Sequence, residues 1–140
     1  MPVRNARAEW QGTIKKGRGQ MKFANYDGPY TFGSRFEAAA GTNPEELIGA
    51  ALAGCFSMAL SEDLELAGHI PTEVRTSAKV HVDKRPQGGF SITKIELDST
   101  AKVPGIAKDK FLKVADGTRQ NCPVSRALTG VTIVLDAKLG

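Results

Sequence analysis

Residues 41–60, GTNPEELIGAALAGCFSMAL, constrain the fold of this chain more than any other segment. Thr42 or Asn43 can cap a helix, and Pro44 fits the first helical position. The acidic residues that follow complement the positive end of the helix dipole. The pattern stays helical for several more turns, so we predict one long helix from about Asn43 to Ala67.

The middle of this predicted helix consists largely of alanine and glycine. A helical glycine costs about 1 kcal/mol relative to alanine, which an exposed helix would not explain. Gly49 and Ala53 lie four residues apart on one face, as do Ala50 and Gly54. We therefore predict a central helix that approaches another backbone closely, with Cys55 on it.

The first third of the chain predicts three strands, because β-forming residues stand between glycine-rich breaks. These strands are expected within residues 6–16, 20–27 and 30–38, and Asp27-Gly28-Pro29 predicts a turn. After the long helix, residues 72–84 alternate between apolar and polar side chains, and residues 90–103 follow a turn. Together they predict a hairpin whose alternation slips near Lys94.

A second helix is expected from about Lys108 to Gln120, with Phe111, Leu112 and Ala115 on one face. A short helical turn at residues 123–128 and a last strand at residues 131–139 complete the pattern. The order βββ-α-ββ-α-β predicts an α+β fold, with helices packed on one face of mostly antiparallel sheets. A length of 140 residues predicts a single domain, 1–140.

The composition argues against several classes of partner. The net charge is +4, and the densest basic cluster lacks the interleaved aromatic residues of single-strand binders, so we expect no nucleic-acid partner (Lys15, Lys16, Arg18, Lys22). We find no window of about 18 apolar residues and no secretory signal, so we expect no membrane partner and a cytoplasmic location. The two cysteines and two histidines lack metal-ligand spacing, so we expect no metal and no cofactor.

Local rules rank the two cysteines in favour of Cys122. Cys55 lies in an apolar helix, about three turns from its start, where a free thiol is usually an inert small hydrophobe. Cys122 precedes a proline that can begin a helical turn, and Arg119 and Arg126 flank it. A thiol at a helix start near cations has a lowered pKa, so Cys122 is the more reactive candidate on local grounds.

Residues 41–60, together with NCPVSRAL at residues 121–128, closely resemble the OsmC/Ohr family of organic hydroperoxide peroxidases. FGSRFE at residues 32–37 resembles the OsmC branch, and the resemblance extends over essentially the whole chain. It implies that Cys55, rather than Cys122, is the thiolate that attacks the peroxide. Cys122 would then convert the Cys55 sulfenic acid into a Cys55–Cys122 disulfide, which a dithiol, lipoyl-type in some members, reduces.

The resemblance also implies two charged site residues. Arg35 would be the cation that stabilises the Cys55 thiolate, and Glu45 would hold that arginine. Arg18 resembles the arginine of the Ohr branch and is the second candidate. If Thr42 capped the helix, Glu45 would instead complete a capping box, an alternative that involves helix chemistry alone.

Glu45 and Cys55 are ten residues apart, which is about 15 Å along a straight helix. Either the helix breaks between them or Glu45 reaches the site from another chain. The resemblance implies the second arrangement, an intertwined homodimer with active sites at the subunit interface.

An apolar pocket would favour organic hydroperoxides, with Phe36, Phe56 and Met58 as lining candidates, although each could equally be core. A noncatalytic thiol redox sensor or binding domain and a basic nucleic-acid-binding module are the alternative functions.

Overall fold

The computed structural model describes residues 1–140, which cluster into two compact units, Met1–Leu47 and Ile48–Gly140. Two three-stranded sheets and four helices make up the chain, so the predicted α+β class is confirmed. Three of the four strand pairings are antiparallel, which agrees with the predicted sheets. The assignment of 1–140 to a single domain stays a prediction.

The first unit contains the sheet β1 (Arg7–Gln11), β2 (Arg18–Phe23) and β3 (Tyr26–Tyr30), paired in sequence order. The turn predicted at residues 27–29 is wrong, because these residues belong to β3. The chain reverses instead at residues 24–25, where Ala24 adopts a φ of 45°. Pro29 is tolerated in β3 because this strand lies at the edge of the sheet.

The strand predicted over residues 30–38 is also wrong, because α1 (Phe32–Phe36) occupies this segment. Thr31 caps this short helix. The Ser34 N–H donates to Thr31 Oγ1 at 3.1 Å, and the Thr31 N–H donates to Ser34 Oγ at 2.9 Å. This reciprocal capping box satisfies amides that a helix start leaves unpaired and turns the chain out of the sheet.

The long helix α2 (Pro44–Leu66) confirms the predicted element within a residue at each end. The Glu46 N–H donates to Asn43 Oδ1 at 2.8 Å, so Asn43 is the capping residue rather than Thr42. Glu45 is therefore the second residue of the helix, and the capping box that would have explained it does not form. The helix is unbroken along its 23 residues.

An 18-residue window of α2 has a mean hydropathy of 1.4, long and apolar enough to cross a membrane by length and composition. The expectation that no such window exists is wrong, because alanine, glycine and leucine dominate this helix. A core helix passes the same test. Only 28% of the window is buried inside this chain, and one exposed face carries mostly small or apolar residues: Ala50, Ala51, Gly54 and Met58.

The second unit contains β4 (Glu73–Lys84), β5 (Phe90–Lys102), α3 (Lys108–Asn121), α4 (Pro123–Ala127) and β6 (Thr132–Leu139). β4 and β5 form the predicted hairpin, and its register shifts at the expected place, where Lys94 faces His81 and Ile92 faces Val82. β6 pairs with β5 in parallel, because α3 and α4 form a crossover between the two strands.

The core of the second unit lies between α2, α3 and the sheet. Four fully buried residues of α2 recur every four positions: Leu52, Phe56, Leu60 and Leu64.

A Cβ on Gly49 would lie 3.1 Å from Val80, so this glycine allows α2 to approach β4. A Cβ on Gly54 would meet nothing within 4 Å, so close packing within the chain does not explain that glycine. Leu112 is 39% exposed, unlike its predicted face partners Phe111 and Ala115, which are buried.

Candidate functional site

An arginine–glutamate ion pair is the main charged feature of the first unit. Arg35 Nε and Nη2 donate to Glu45 Oε1 at 2.9 and 2.8 Å, and Nε also lies 3.2 Å from Oε2. Glu45 is only 6% exposed, whereas the Arg35 side chain is 39% exposed. The planar guanidinium suits this forked contact, which fixes the orientation of Arg35.

Hydrogen bonds to backbone carbonyls connect α1, which carries Arg35, to the start of α2, which carries Glu45. Ser34 Oγ donates to the Thr42 carbonyl at 2.7 Å, and Asn43 Nδ2 donates to the Ser34 carbonyl at 3.1 Å. These bonds tie the residue before Arg35 to the residue that caps α2. We call the set Ser34, Arg35, Thr42, Asn43 and Glu45 the arginine corner. No hydrogen bond involves Arg35 Nη1, so one edge of the guanidinium remains available to an anion.

An apolar cleft of about 470 Å³ lies beside Arg35 in the same unit. Aromatic and aliphatic side chains dominate its lining: Trp10, Ile14, Tyr30, Phe32 and Phe36. The Arg35 guanidinium lies 5.0 Å from the ring centre of Phe36, a distance at which a cation and an aromatic face attract each other. The cleft therefore combines an apolar surface with one cation.

The second unit brings the two cysteines together as free thiols, which we call the thiol pair. Cys55 is half-buried on α2, and Cys122, 3% exposed, joins α3 to α4. The Cys122 N–H donates to the Thr118 carbonyl at 3.0 Å and closes α3. Pro123 cannot continue that helix and begins α4 instead, so the chain turns at Cys122.

The surroundings of the thiol pair favour the neutral form of Cys55. Burial raises the pKa of the Cys55 thiol above its ordinary value. A hydrogen bond with the Val124 backbone lowers this pKa, and a hydrogen bond with the Cys122 thiol raises it again. The net direction is upward, and no cation of the second unit contributes. The thiol pair by itself therefore lacks the positive charge that a reactive thiolate requires.

Residues 37–136 match the family model described as OsmC-like protein. The chain is 46% identical to Peroxiredoxin OsmC of Escherichia coli over 97% of its own length and 96% of that protein. It belongs to the OsmC-like protein family. A further OsmC/Ohr relative, the organic hydroperoxide resistance protein of Xanthomonas axonopodis pv. citri, is 37% identical over 68% of this chain and 67% of its own.

Solved structures support the fold of this OsmC-like chain. The organic hydroperoxide resistance protein OhrB of Bacillus subtilis is 23% identical, with a TM-score of 0.71 over 96% of this chain and 98% of that one. The OsmC-like protein of Mycoplasma pneumoniae is 12% identical, with a TM-score of 0.75 over 99% and 97% of the two chains. At these identities the agreement concerns the fold alone.

The short helix α4 contacts both sulfurs of the OsmC-like thiol pair. The backbone of Val124 interacts with Cys55, and Cys122 Sγ donates to Ser125 Oγ at 3.0 Å. Ser125 is 7% exposed. The sequence predicted a helical turn here but neither contact, because both depend on how α4 packs against α2. The motif Cys-Pro-Val-Ser, in which serine stands three residues after cysteine on a helical turn, was the available signal.

In the structure the four predicted site residues form two separate contacting pairs. Arg35 contacts Glu45 as expected, and Cys55 contacts Cys122, while the roles of these four residues stay predictions. Arg18 is exposed at the start of β2 and forms no ion pair.

Other sequence candidates have different environments. Arg119, one of the two arginines that flank Cys122, binds Asp116 at 2.9 Å and also donates to the Ile133 carbonyl. Phe56 belongs to the core, and Met58 is 81% exposed.

Proposed function

We propose that this chain is a thiol-dependent peroxidase that reduces organic hydroperoxides to alcohols. The observation that carries the proposal is the thiol pair, in which two free cysteines lie in contact at the edge of an apolar core. Membership of the OsmC-like family supports it, since relatives bear the names peroxiredoxin and organic hydroperoxide resistance protein. A location in the cytoplasm, where reductants keep thiols free, belongs to the same proposal.

The proposed reaction has two steps and a reduction. The Cys55 thiolate attacks the terminal peroxide oxygen, the O–O bond breaks, and the alkoxide takes a proton to leave as the alcohol. Cys55 is now a sulfenic acid. The Cys122 sulfur then attacks Cys55, a disulfide forms and water leaves. A dithiol, of the lipoyl type in our proposal, reduces this disulfide by thiol exchange and becomes a disulfide itself.

Arg35 is the cation that we assign to the first step. Its Nε and Nη2 are bound to Glu45, while Nη1 forms no hydrogen bond and is free to face an anion. A guanidinium beside the thiolate lowers the pKa of Cys55, opposing the effect of burial, and stabilises negative charge on the peroxide oxygens. Arg18 fits this role less well, because no carboxylate of the chain orients its side chain.

We propose that the chain forms a homodimer, and the geometry of α2 supports this. The helix is unbroken, and ten residues of α-helix rise by about 15 Å, so Glu45 and Cys55 of one helix cannot meet. The alternative is that the arginine corner of one protomer serves the thiol pair of its partner. The exposed face of α2 supports this arrangement, because it offers small residues to a second helix. The apolar cleft beside Arg35 would then hold the organic tail of the peroxide.

Free-thiol titration tests the peroxidase proposal. The reduced protein receives one equivalent of tert-butyl hydroperoxide, beside the variants Cys55→Ser and Cys122→Ser. We expect rapid loss of both thiols in the wild type and no reaction in Cys55→Ser. Cys122→Ser should lose its single thiol to a sulfenic acid. Consumption of peroxide by Cys55→Ser would reverse the two roles. Turnover with excess dithiol separates an enzyme from a sensor, which is oxidised once and stops.

Sedimentation analysis of Gly54→Leu tests the dimer. A leucine here has open space within one protomer but would separate two helices packed on this face. We expect a shift towards monomer and a parallel loss of peroxidase activity. A fully active dimer carrying Gly54→Leu would refute the packing of a partner helix on this face of α2.

A further inference from the structure

The hydroxyl of Ser125 contacts a reacting atom of the proposed chemistry and has no role in the steps described so far. Cys122 Sγ donates to Ser125 Oγ at 3.0 Å, a close approach for a sulfur donor, and both residues are buried. Serine is one of the few side chains that can accept a proton and donate another at the same atom. Its place beside the sulfur that forms the disulfide therefore suits proton transfer.

We propose that Ser125 is a catalytic residue of disulfide formation, in which it removes the proton from Cys122. The proposal rests on the proposed function and concerns its second step. The reacting thiol must lose its proton, since the thiolate is the nucleophile. Burial of Cys122 excludes bulk water as the base, and the hydroxyl of Ser125 is the acceptor that the structure supplies.

Formation of the disulfide conserves atoms and electrons. The Cys122 sulfur forms a bond to the sulfur of the Cys55 sulfenic acid, and the S–O bond of that sulfenic acid breaks. The Cys122 proton passes to Ser125 Oγ, and the proton of the serine hydroxyl passes to the departing oxygen, which leaves as water. Cys122 is oxidised, Cys55 is reduced from sulfenic acid to disulfide, and the serine hydroxyl is restored.

The hydrogen bond also orients the thiol before the reaction. Sulfur–sulfur attack requires a defined direction, and a disulfide has narrow geometric limits. Because Cys122 and Ser125 lie three residues apart around α4, the first turn of that helix fixes where the Cys122 sulfur points. The first step involves Cys55, the peroxide and Arg35 but neither Cys122 nor Ser125, so loss of the serine hydroxyl should leave it unchanged.

Rapid-mixing experiments on the full-length protein with tert-butyl hydroperoxide test this proposal. Peroxide loss reports the first step, and quenched samples analysed by intact mass distinguish an added oxygen from a disulfide. In Ser125→Ala we expect an unchanged first step and disulfide formation slowed by about 100-fold or more, the lower end of what a positioned general acid or base contributes. The sulfenic acid should accumulate and become sensitive to a second equivalent of peroxide.

Two further variants separate chemistry from structure. Ser125→Thr retains a hydroxyl and should restore most of the disulfide rate. Ser57→Ala removes a hydroxyl from α2 that bonds Thr76, and it should leave both steps unchanged. The disulfide step of the wild type should show a solvent deuterium isotope effect that Ser125→Ala diminishes.

Two outcomes would overturn the role of Ser125: an unchanged disulfide rate in Ser125→Ala, or an equal slowing of both steps. If the wild type itself does not consume peroxide, the proposed peroxidase function is wrong. That result differs from one in which the wild type reacts normally and Ser125→Ala forms the disulfide at the same rate.

Discussion

The arginine corner is held by charge and polar bonds, whereas the thiol pair is held by apolar packing. In the corner, a bidentate ion pair is supported by hydrogen bonds between the ends of two helices. In the thiol pair, Cys55 borders a core of leucine, isoleucine and phenylalanine, and its pKa is raised by burial. In the proposed mechanism neither region is sufficient by itself, because Cys55 would supply the nucleophile and Arg35 the cation.

In the proposed mechanism this difference keeps the Cys55 thiol unreactive until a cation reaches it. A Cys55 that lies in the core without a cation stays protonated and inert at neutral pH. In the proposed mechanism, association with a fixed guanidinium converts it into a thiolate. The proposal therefore links reactivity to assembly, and the following experiments test that link.

The largest effect is expected from Arg35→Met. If the arginine lowers the Cys55 pKa, its loss reduces the thiolate fraction at pH 7, and we expect peroxide consumption to slow by about 20-fold or more. Activity is present above the thiol pKa and is lost as the pH falls through it. Removing the cation raises that pKa, so the rate profile should move to higher pH and partly recover there.

Stopped-flow measurement of peroxide consumption between neutral and alkaline pH checks this expectation, with Arg18→Met as the matched control. Arg18 has no carboxylate partner, and its loss should leave the profile unchanged. If instead the profile shifts in Arg18→Met and not in Arg35→Met, Arg18 is the cation that lowers the Cys55 pKa, as the resemblance to the Ohr branch suggests.

A smaller loss is expected from Glu45→Gln. Glutamine preserves the shape of the side chain but removes its charge, so Arg35 loses the partner that fixes its direction. Misplacement of a catalytic group typically reduces the rate, and we expect a loss of roughly 10-fold in kcat/KM. Because the cation itself remains, the pH profile should shift much less than in Arg35→Met. Identical profiles for the two variants would mean that Arg35 lowers the Cys55 pKa only while Glu45 holds it in place.

The helix cap of α2 and its length could be predicted from the sequence because the signals are local. Asn43 and Pro44 stand side by side, and the apolar pattern continues without interruption. The arginine corner could not be predicted in the same way. Its helix α1 has five residues, and its aromatic side chains are typical of a strand, so a capping box between Thr31 and Ser34 overrode their preference.

The thiol pair illustrates a second limit of sequence reasoning. Local rules favoured Cys122 as the reactive thiol, because they took the nearby arginines to be free. In the structure, Arg119 is bound to Asp116 and to a carbonyl of β6. Contact between Cys55 and Cys122 depends on packing between α2 and α4, which are far apart in the chain. The resemblance to a known family supplied this pairing, and no spacing rule could have done so.

Removal of the α2 cap should affect stability more than chemistry. Asn43→Ala loses the acceptor for the Glu46 amide and the donor to the Ser34 carbonyl. We expect the free energy of unfolding to fall by about 1–2 kcal/mol, measured by urea denaturation. Asn43→Ser is the matched control, since it keeps the cap acceptor and lacks the amide donor. If Asn43→Ser is as unstable as Asn43→Ala, the bond to Ser34 rather than the cap stabilises the corner.

The smallest expected effect is the change in stability when a helical glycine is replaced by alanine. Its sign distinguishes a helix face exposed to solvent from one that packs against a partner. Gly54 on α2 and Gly117 on α3 are both helical glycines at which an added Cβ meets nothing within 4 Å. Alanine is favoured over glycine in a helix by about 0.5–1 kcal/mol. Gly117→Ala should therefore stabilise the protein by up to about that amount. If a second helix packs on α2, the methyl group of Gly54→Ala enters an interface, and the same change should be neutral or destabilising.

Thermal and urea unfolding of the two alanine variants, at several protein concentrations, measures this difference. Equal stabilisation of both variants, independent of concentration, would mean that the face of α2 around Gly54 is exposed in the assembled protein. The thiol pair and the arginine corner would then have to meet in another way. If Gly117→Ala stabilises the protein and Gly54→Ala destabilises it, and if the loss in Gly54→Ala grows on dilution, the partner helix packs on α2. Gly54, which packing within one chain does not explain, would then be explained by packing between two chains.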